Sequence, residues 1–365
     1  MSHYITVSST RATNAKPAAM SDPSNSTAPS THFIATSVTF KAASFDKIIS
    51  NELFGYFDTI VNFWCILLLS SAGVVTNILC AVVFLSQGFK EGVNVSMLSV
   101  TFWNELKCLS GLLNRMYGPI SLFSADASSI WRIWTSFNQY TPIFAGYVAY
   151  CLVAYISIER LLCVSRPFTV KNLLTPKRTF SIVTTISVFT YGFYFIMHFV
   201  YELANTLNPY SNKSILAVQY NQFYRDNEMI IMPYYKSSAI LIPSLSFVVL
   251  CVCSVCTVLQ IQKSSRSLYK EKPSLQLSQR EKKVTKVLLA VIVVNICNLF
   301  PRIVFYIGQL VEPEFYVIRK YHNLFMTAAM YIYILDYVNA VVNLFIFLRM
   351  SLSFRETFYS VLCKS

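Results

Sequence analysis

The sequence predicts an all-α membrane protein, a seven-transmembrane helix bundle with a short amphipathic eighth helix, and three observations carry that prediction. The 365 residues are 55% hydrophobic and only 13% charged, against roughly 25% charged in a soluble domain, and the mean hydropathy is +0.49. Apolar stretches of about 20 residues, the length that crosses a bilayer, recur along the chain. Lys and Arg concentrate in alternate connections, which marks the cytoplasmic side.

Taken in order, residues 1–57, beginning MSHYITVSSTRATNAKPAAMSDPSNSTAPSTH, are rich in Ser, Thr, Ala and Pro and lack the apolar core of a cleaved signal peptide. They read as a disordered extracellular tail, either a plain spacer or a ligand-binding segment. The bundle is expected over 58–349, with spans near 58–86, 94–118, 135–165, 179–200, 235–261, 285–310 and 324–348. The second is the least hydrophobic, because the stretch FWNELKCL (102–109) sets Asn104, Glu105 and Lys107 inside it. In 350–365, Phe354, Phe358, Val361 and Leu362 recur about once per helical turn among Ser353, Arg355, Glu356 and Ser360, the pattern of a short interfacial helix leading into a cytoplasmic tail. Cys363 at its end is a candidate for lipidation, with a plain buried thiol as the alternative.

Orientation follows from charge. The first, third and fifth connections and the tail collect Lys90, the basic residues of 166–178 and 263–286, and Arg349, Arg355 and Lys364. The opposite connections hold only Arg132, Lys213, Arg225, Lys236, Arg319 and Lys320. The amino end is therefore expected outside, in a multi-pass protein of the plasma membrane. The net charge of +13 then serves attraction to acidic membrane lipids, and nucleic acid is not expected as a partner. Asn25 and Asn212 head Asn-x-Ser/Thr acceptors on the outer side and are expected to be glycosylated, whereas Asn94 falls on the inner side.

Ten cysteines do not make a disulfide framework, because nine lie in the spans or at their inner ends and the outer loops hold none. Cys253 and Cys256 lack the second pair or His cluster of a zinc site, so no metal is expected. HExxH, GxSxG and Gly-rich phosphate loops are absent, and His3, His32, His198 and His322 are scattered, so neither an enzyme nor a cofactor is expected. A secondary transporter with a midplane charged site is the alternative to a receptor. Against it stand the odd number of spans and the absence of a visible repeat between the halves.

A charge at the centre of a spanning helix costs about 2.5–3.5 kcal/mol to insert, so such residues face the bundle interior and mark a function or an internal partner. Here they are Glu105, Lys107 and Arg115 in the second span, Glu159 and Arg160 closing the third, Arg302 beside Pro301 in the sixth, and Asp336 in the seventh. Helical spacing sets Asn104 and Lys107 on one face with Glu105 about 100° away, and puts Asp336, Asn339 and Asn343 on one stripe. The two stripes are expected to face each other. Lys107 and Arg302 are the candidate ligand-binding cations and Asp336 the balancing anion. Tyr147 and Tyr333 join them from the aromatics near the outer helix ends, which also include Tyr140, Phe305, Tyr306 and Tyr331; the alternative for most of these is packing or the interfacial belt. One reading has a ligand carboxylate displacing Asp336; the other is a closed salt bridge among Lys107, Asp336 and Glu105 that only shapes the bundle.

The order of motifs resembles the rhodopsin-like (class A) G-protein-coupled receptors over about residues 58–363. AYISIERLLCVSRPF is similar to that family's acidic-Arg-aromatic motif, with Glu159 and Arg160 in the first two places, Leu161 replacing the aromatic, and Pro167 seven residues on. Asn77 stands at the helix-one asparagine, Asn104 at the helix-two aspartate, Pro301 at the helix-six proline, and NLFIF (343–347) resembles a worn NPxxY. KEGVNVSMLSV, IERLLCV, TPKRT and NLFIFLRMSLSFRETF further resemble the expanded chemosensory-type receptors of gastropod molluscs. The resemblance implies an extracellular ligand, a small polar molecule or peptide, and a heterotrimeric G protein as partners. It implies that Arg160, paired to Glu159 and across the cytoplasmic mouth to Glu281, holds spans three and six together until the ligand favours the parted state. It assigns Asn343 to the activation path, and Phe168 with the basic segment REKKVTK (280–286) to the G-protein face; the same segment also serves as a positive-inside anchor. Departures matter too. Thr135 replaces the helix-three cysteine, Leu299 the helix-six tryptophan, and Asn104 and Ala149 two groups of the sodium site. Sodium regulation is therefore not expected, and Tyr337 and Pro142 disfavour opsin and monoamine readings.

Overall fold

Ser50 starts the first helix by accepting a hydrogen bond from the Leu53 N–H at 3.2 Å, as short hydroxyl side chains do at helix N-termini. Helix α1 then runs Asn51–Gln87, through a π-helical stretch at Asp58–Cys65. This computed structural model describes residues 48–362 apart from 167–169, 171–172, 208–213, 268–278 and 318. The helix therefore begins inside the segment expected to be tail. The extra turns form because Phe54 and Phe57 pack on a cluster of Phe325, Met326 and Met330, a tertiary contact with no local signature. Asn25 and the rest of the tail before Ile48 lie outside the described residues.

Gly88, at φ +73°, ends α1 in a backbone region that glycine enters without penalty. Helix α2 (Gly92–Leu113) follows, then α3 (Tyr117–Ser121) and α4 (Ala125–Ser136), the last capped by Ser124. Helix α5 (Thr141–Ser165) begins beside Pro142, which suits a first turn whose N–H groups have no partners. The span expected at 135–165 is thus broken between Ser136 and Thr141. Thr175 and Pro176 start α6 (Pro176–Tyr194), continued by a 3-10 turn at Phe195–Phe199.

Two strands not anticipated from the sequence come next. β1 (Tyr201–Leu207) and β2 (Ser214–Tyr220) pair antiparallel, with Tyr201 opposite Tyr220. Asn212 lies outside the described residues between them. Helix α7 (Gln222–Ser267) carries Pro233 and Pro243 and starts well before the expected 235; α8 (Gln279–Val311) carries Pro301; α9 (His322–Met350) and α10 (Leu352–Leu362) complete the chain. Cys363 lies just beyond the described residues.

Among the described residues, six helical segments are long and apolar enough to cross a membrane, those in α1, α5, α6, α7, α8 and α9. Helix α2 is long enough but, with its Asn, Ser, Glu and Lys, less apolar. It nonetheless packs inside the bundle against α1, α5, α6 and α9. Helix α5 is the central post, more buried than any of the other spans. Outward faces are apolar: Leu68, Phe189, Val252 and Phe300 are all more than half exposed. At one end, Phe354 of α10 is buried against Phe84 and Phe347, and burial of one such ring contributes about 1.5–3 kcal/mol toward holding α10 to the bundle.

Candidate functional site

A cavity of about 280 Å³ lies at the end of the bundle where α5 begins, among α5, α7, α8 and α9 and beneath the β1–β2 hairpin. Nine tyrosines line it, with Met197, Met232 and Phe305 among the apolar walls and Arg302, Lys236 and Glu228 as its charged groups. The Lys236 ammonium sits 4.1 Å above the Tyr316 ring, an attraction between a cation and the negative face of an aromatic. In the hairpin, burial pushes the Tyr201 and Tyr220 hydroxyls above their ordinary titration range, so both remain neutral hydrogen-bonding groups.

Below the cavity a buried polar cluster joins α2, α5, α8 and α9. The Asp336 carboxylate accepts hydrogen bonds from Tyr150, from Asn298 Nδ2 at 3.1 Å and from the Arg302 guanidinium, with which it forms an ion pair. Arg302 also reaches the Tyr306 hydroxyl at 3.4 Å, and Tyr306 shares a 3.0 Å hydrogen bond with Tyr147. The chain of contacts therefore runs from two residues of the cavity wall to the centre of α9. Asn298 and Arg302 lie one turn apart on α8, which is why one helix presents both to the same carboxylate.

Lys107 enters this cluster differently from the salt bridge expected of it. Its Nζ donates to the Asn104 side-chain oxygen at 3.1 Å and to the main-chain carbonyl of Asp336 at 3.0 Å. The carboxylate itself is already engaged by three donors from α5 and α8. Glu105, half-buried with Oε2 unpartnered, makes no ion pair among the described residues. The expected triad of Lys107, Asp336 and Glu105 is therefore replaced by an Arg302–Asp336 pair with Lys107 on the backbone. Of the named ligand candidates, Arg302, Tyr147 and Tyr333 line the cavity, whereas Lys107 and Asp336 lie behind it. Tyr331 faces outward and lines a separate groove.

Sequence reasoning missed Tyr150, Asn295 and Asn298. Asn295, Asn298 and Arg302 follow the three-four spacing of a single helix face, a signal that was present. Asn295 accepts from Asn339 Nδ2 at 3.0 Å, which extends the polar seam between α8 and α9. Farther along, Asn343 is buried with its Oδ1 unpartnered.

At the other end of α5, Arg160 pairs with Glu159 at 2.9 Å, both buried. Ser96 of α2 donates to the second Glu159 oxygen at 3.1 Å, fixing that carboxylate from a neighbouring helix. Phe168 and the side chain of Glu281 lie outside the described residues. No group of His, Cys, Asp and Glu among the described residues is arranged to hold a metal ion.

Residues 109–347 match the profile of the 7 transmembrane receptor (rhodopsin family). No curated protein matches the chain. The match and the apolar helices together make this a multi-pass membrane protein.

Proposed function

We propose, because the chain belongs to the rhodopsin family of seven-transmembrane receptors, that it binds an extracellular ligand in the tyrosine-lined cavity and activates a heterotrimeric G protein. The observation that carries the reading is the placement of two sites on one helix. α5 bears Tyr147 in the cavity wall, Tyr150 in the buried cluster, and the Glu159–Arg160 pair at its far end. A ligand that displaces or reorients Arg302 changes what holds α5, α8 and α9 together, and so biases the spacing of their far ends. In this reading Arg160, Glu159 and Glu281 hold the cytoplasmic mouth, Phe168 meets the G protein, and Asn343 lies on the path between.

The six apolar helices and α2 make seven spans, with the amino-terminal tail outside a plasma membrane and α10 lying at the inner interface beside a lipidated Cys363. Asn25 and Asn212 carry glycans on the outer side. The resemblance to gastropod chemosensory-type receptors fits a ligand from the surroundings, and the Arg302 face of the cavity favours one with a carboxylate. The test expresses the full chain with a promiscuous G protein and screens carboxylates, amino acids and short peptides. Ligand-dependent nucleotide exchange that disappears in Arg160→Ala supports the receptor; concentrative uptake of a tracer without exchange sinks it.

A further inference from the structure

Hairpin tyrosines line one side of the cavity, and a thin wall separates it from the lipid-facing surface. Tyr140, Tyr201, Tyr220 and Tyr224 stack in a column with ring centroids 6.0, 5.2 and 4.0 Å apart, and the Tyr140 and Tyr201 hydroxyls meet at 3.0 Å. Between α8 and α9 lies an apolar groove lined by Val304, Gly308, Ala328, Tyr331 and Leu335, on the outward face where Val304 and Tyr331 are about half exposed. Phe305 and Ile332 line the groove and the cavity alike, so two side chains form the wall between them. Behind that wall stands Arg302, whose buried Nε has no hydrogen-bond partner. The cluster around it holds two cations, Lys107 and Arg302, against the single carboxylate of Asp336.

We propose that groove and cavity form one site for a long-chain amphipathic carboxylate, its head on Arg302 and its alkyl tail passing between Phe305 and Ile332 into the groove. The proposal rests on the reading that the cavity is the receptor's ligand site and narrows the ligand to one that arrives through the bilayer. Charge favours it, because one further carboxylate balances the surplus cation and supplies the acceptor that Nε lacks. Hydrophobicity permits it, because a tail that moves from lipid into a lipid-facing groove gives up no apolar burial.

The test uses the full chain in phosphatidylcholine nanodiscs, with oleate and its uncharged methyl ester as probes and bound probe counted per receptor. Oleate is expected to bind saturably at one per receptor, and methyl oleate about tenfold or more weaker, since it loses the charge-assisted hydrogen bonds. Arg302→Gln is expected to weaken oleate by a similar factor. Ala328→Phe fills the groove from its lipid side at a position that does not itself line the cavity, and is expected to do the same. Val252→Phe, on an outward face of α7, leaves binding unchanged. Equal binding of oleate and its ester, or oleate binding indifferent to Ala328→Phe, overturns the proposal even if Arg302→Gln fails to fold. Saturable, Ala328-dependent binding without any nucleotide exchange would keep this site and sink the receptor reading. Exchange driven by water-soluble agonists, with oleate unbound, would do the reverse.

Discussion

Replacing Asp336 by Asn is expected to destabilise the protein more than replacing Arg302 by Gln, and counting charges in the cluster sets the difference. Asp336 is buried and accepts from Tyr150, Asn298 and Arg302, while Lys107 donates to its main-chain carbonyl at 3.0 Å. In Asp336→Asn both cations stay buried with no counter-charge, and breaking a buried pair from one side costs about 3–5 kcal/mol. In Arg302→Gln the carboxylate keeps Tyr150 and Asn298 as donors and gains Lys107 as its counter-ion, so the loss is nearer that of one charge-assisted hydrogen bond, about 1.5–3 kcal/mol. The gap of about 1–2 kcal/mol corresponds to roughly a five- to thirtyfold difference in the ratio of folded to unfolded protein. SDS titration of the purified protein in mixed micelles, followed by tryptophan fluorescence, measures it. The double variant restores the charge surplus of the parent and is expected to be more stable than Asp336→Asn alone. Equal losses for the two single variants, or strictly additive losses in the double, would refute this account of the cluster.

Three further outcomes are expected. Gly111→Val drives a side chain into the hydroxyl of the buried Tyr337 and should cost about 1–3 kcal/mol of stability, read as lower yield and an earlier unfolding midpoint. Glu159→Gln removes the charge that holds Arg160 at 2.9 Å and should raise ligand-free nucleotide exchange, whereas Arg160→Ala abolishes exchange while ligand binding persists; unchanged basal exchange in Glu159→Gln counts against the restraint. Cys65, Cys80, Cys108, Cys151, Cys251, Cys253, Cys256 and Cys297 are free, and no cysteine occurs in the hairpin or the other loops at the cavity end, so a thiol reductant should leave ligand binding and the unfolding midpoint where they were.

Hydropathy and helical spacing alone called for seven spans, six of which are long, apolar helices among the described residues, placed Asn104 and Lys107 on one face, and singled out Arg302 and Asp336 as interior charges. These features are legible because the bilayer punishes each misplaced polar group locally, whatever the rest of the chain does. The start of α1 at Asn51, the hairpin over the cavity and the roles of Tyr150 and Asn298 were not legible, since each depends on a surface supplied by a distant segment. Lys107 shows the limit most clearly. Helical spacing named the Asp336 carboxylate as its balancing anion, and its actual acceptor on Asp336 is a main-chain carbonyl, which no side-chain pattern encodes. Of the charges that helical spacing marked as interior, Lys107, Glu159, Arg160, Arg302 and Asp336 are buried, while Glu105 and Arg115 are only partly so. Only the packing of α2, α5, α8 and α9 decided that Arg302 takes the carboxylate, that Lys107 takes the backbone, and that one positive charge is left over. Pairing among buried groups is settled by reach and by competition for lone pairs, and both are properties of the assembled helices.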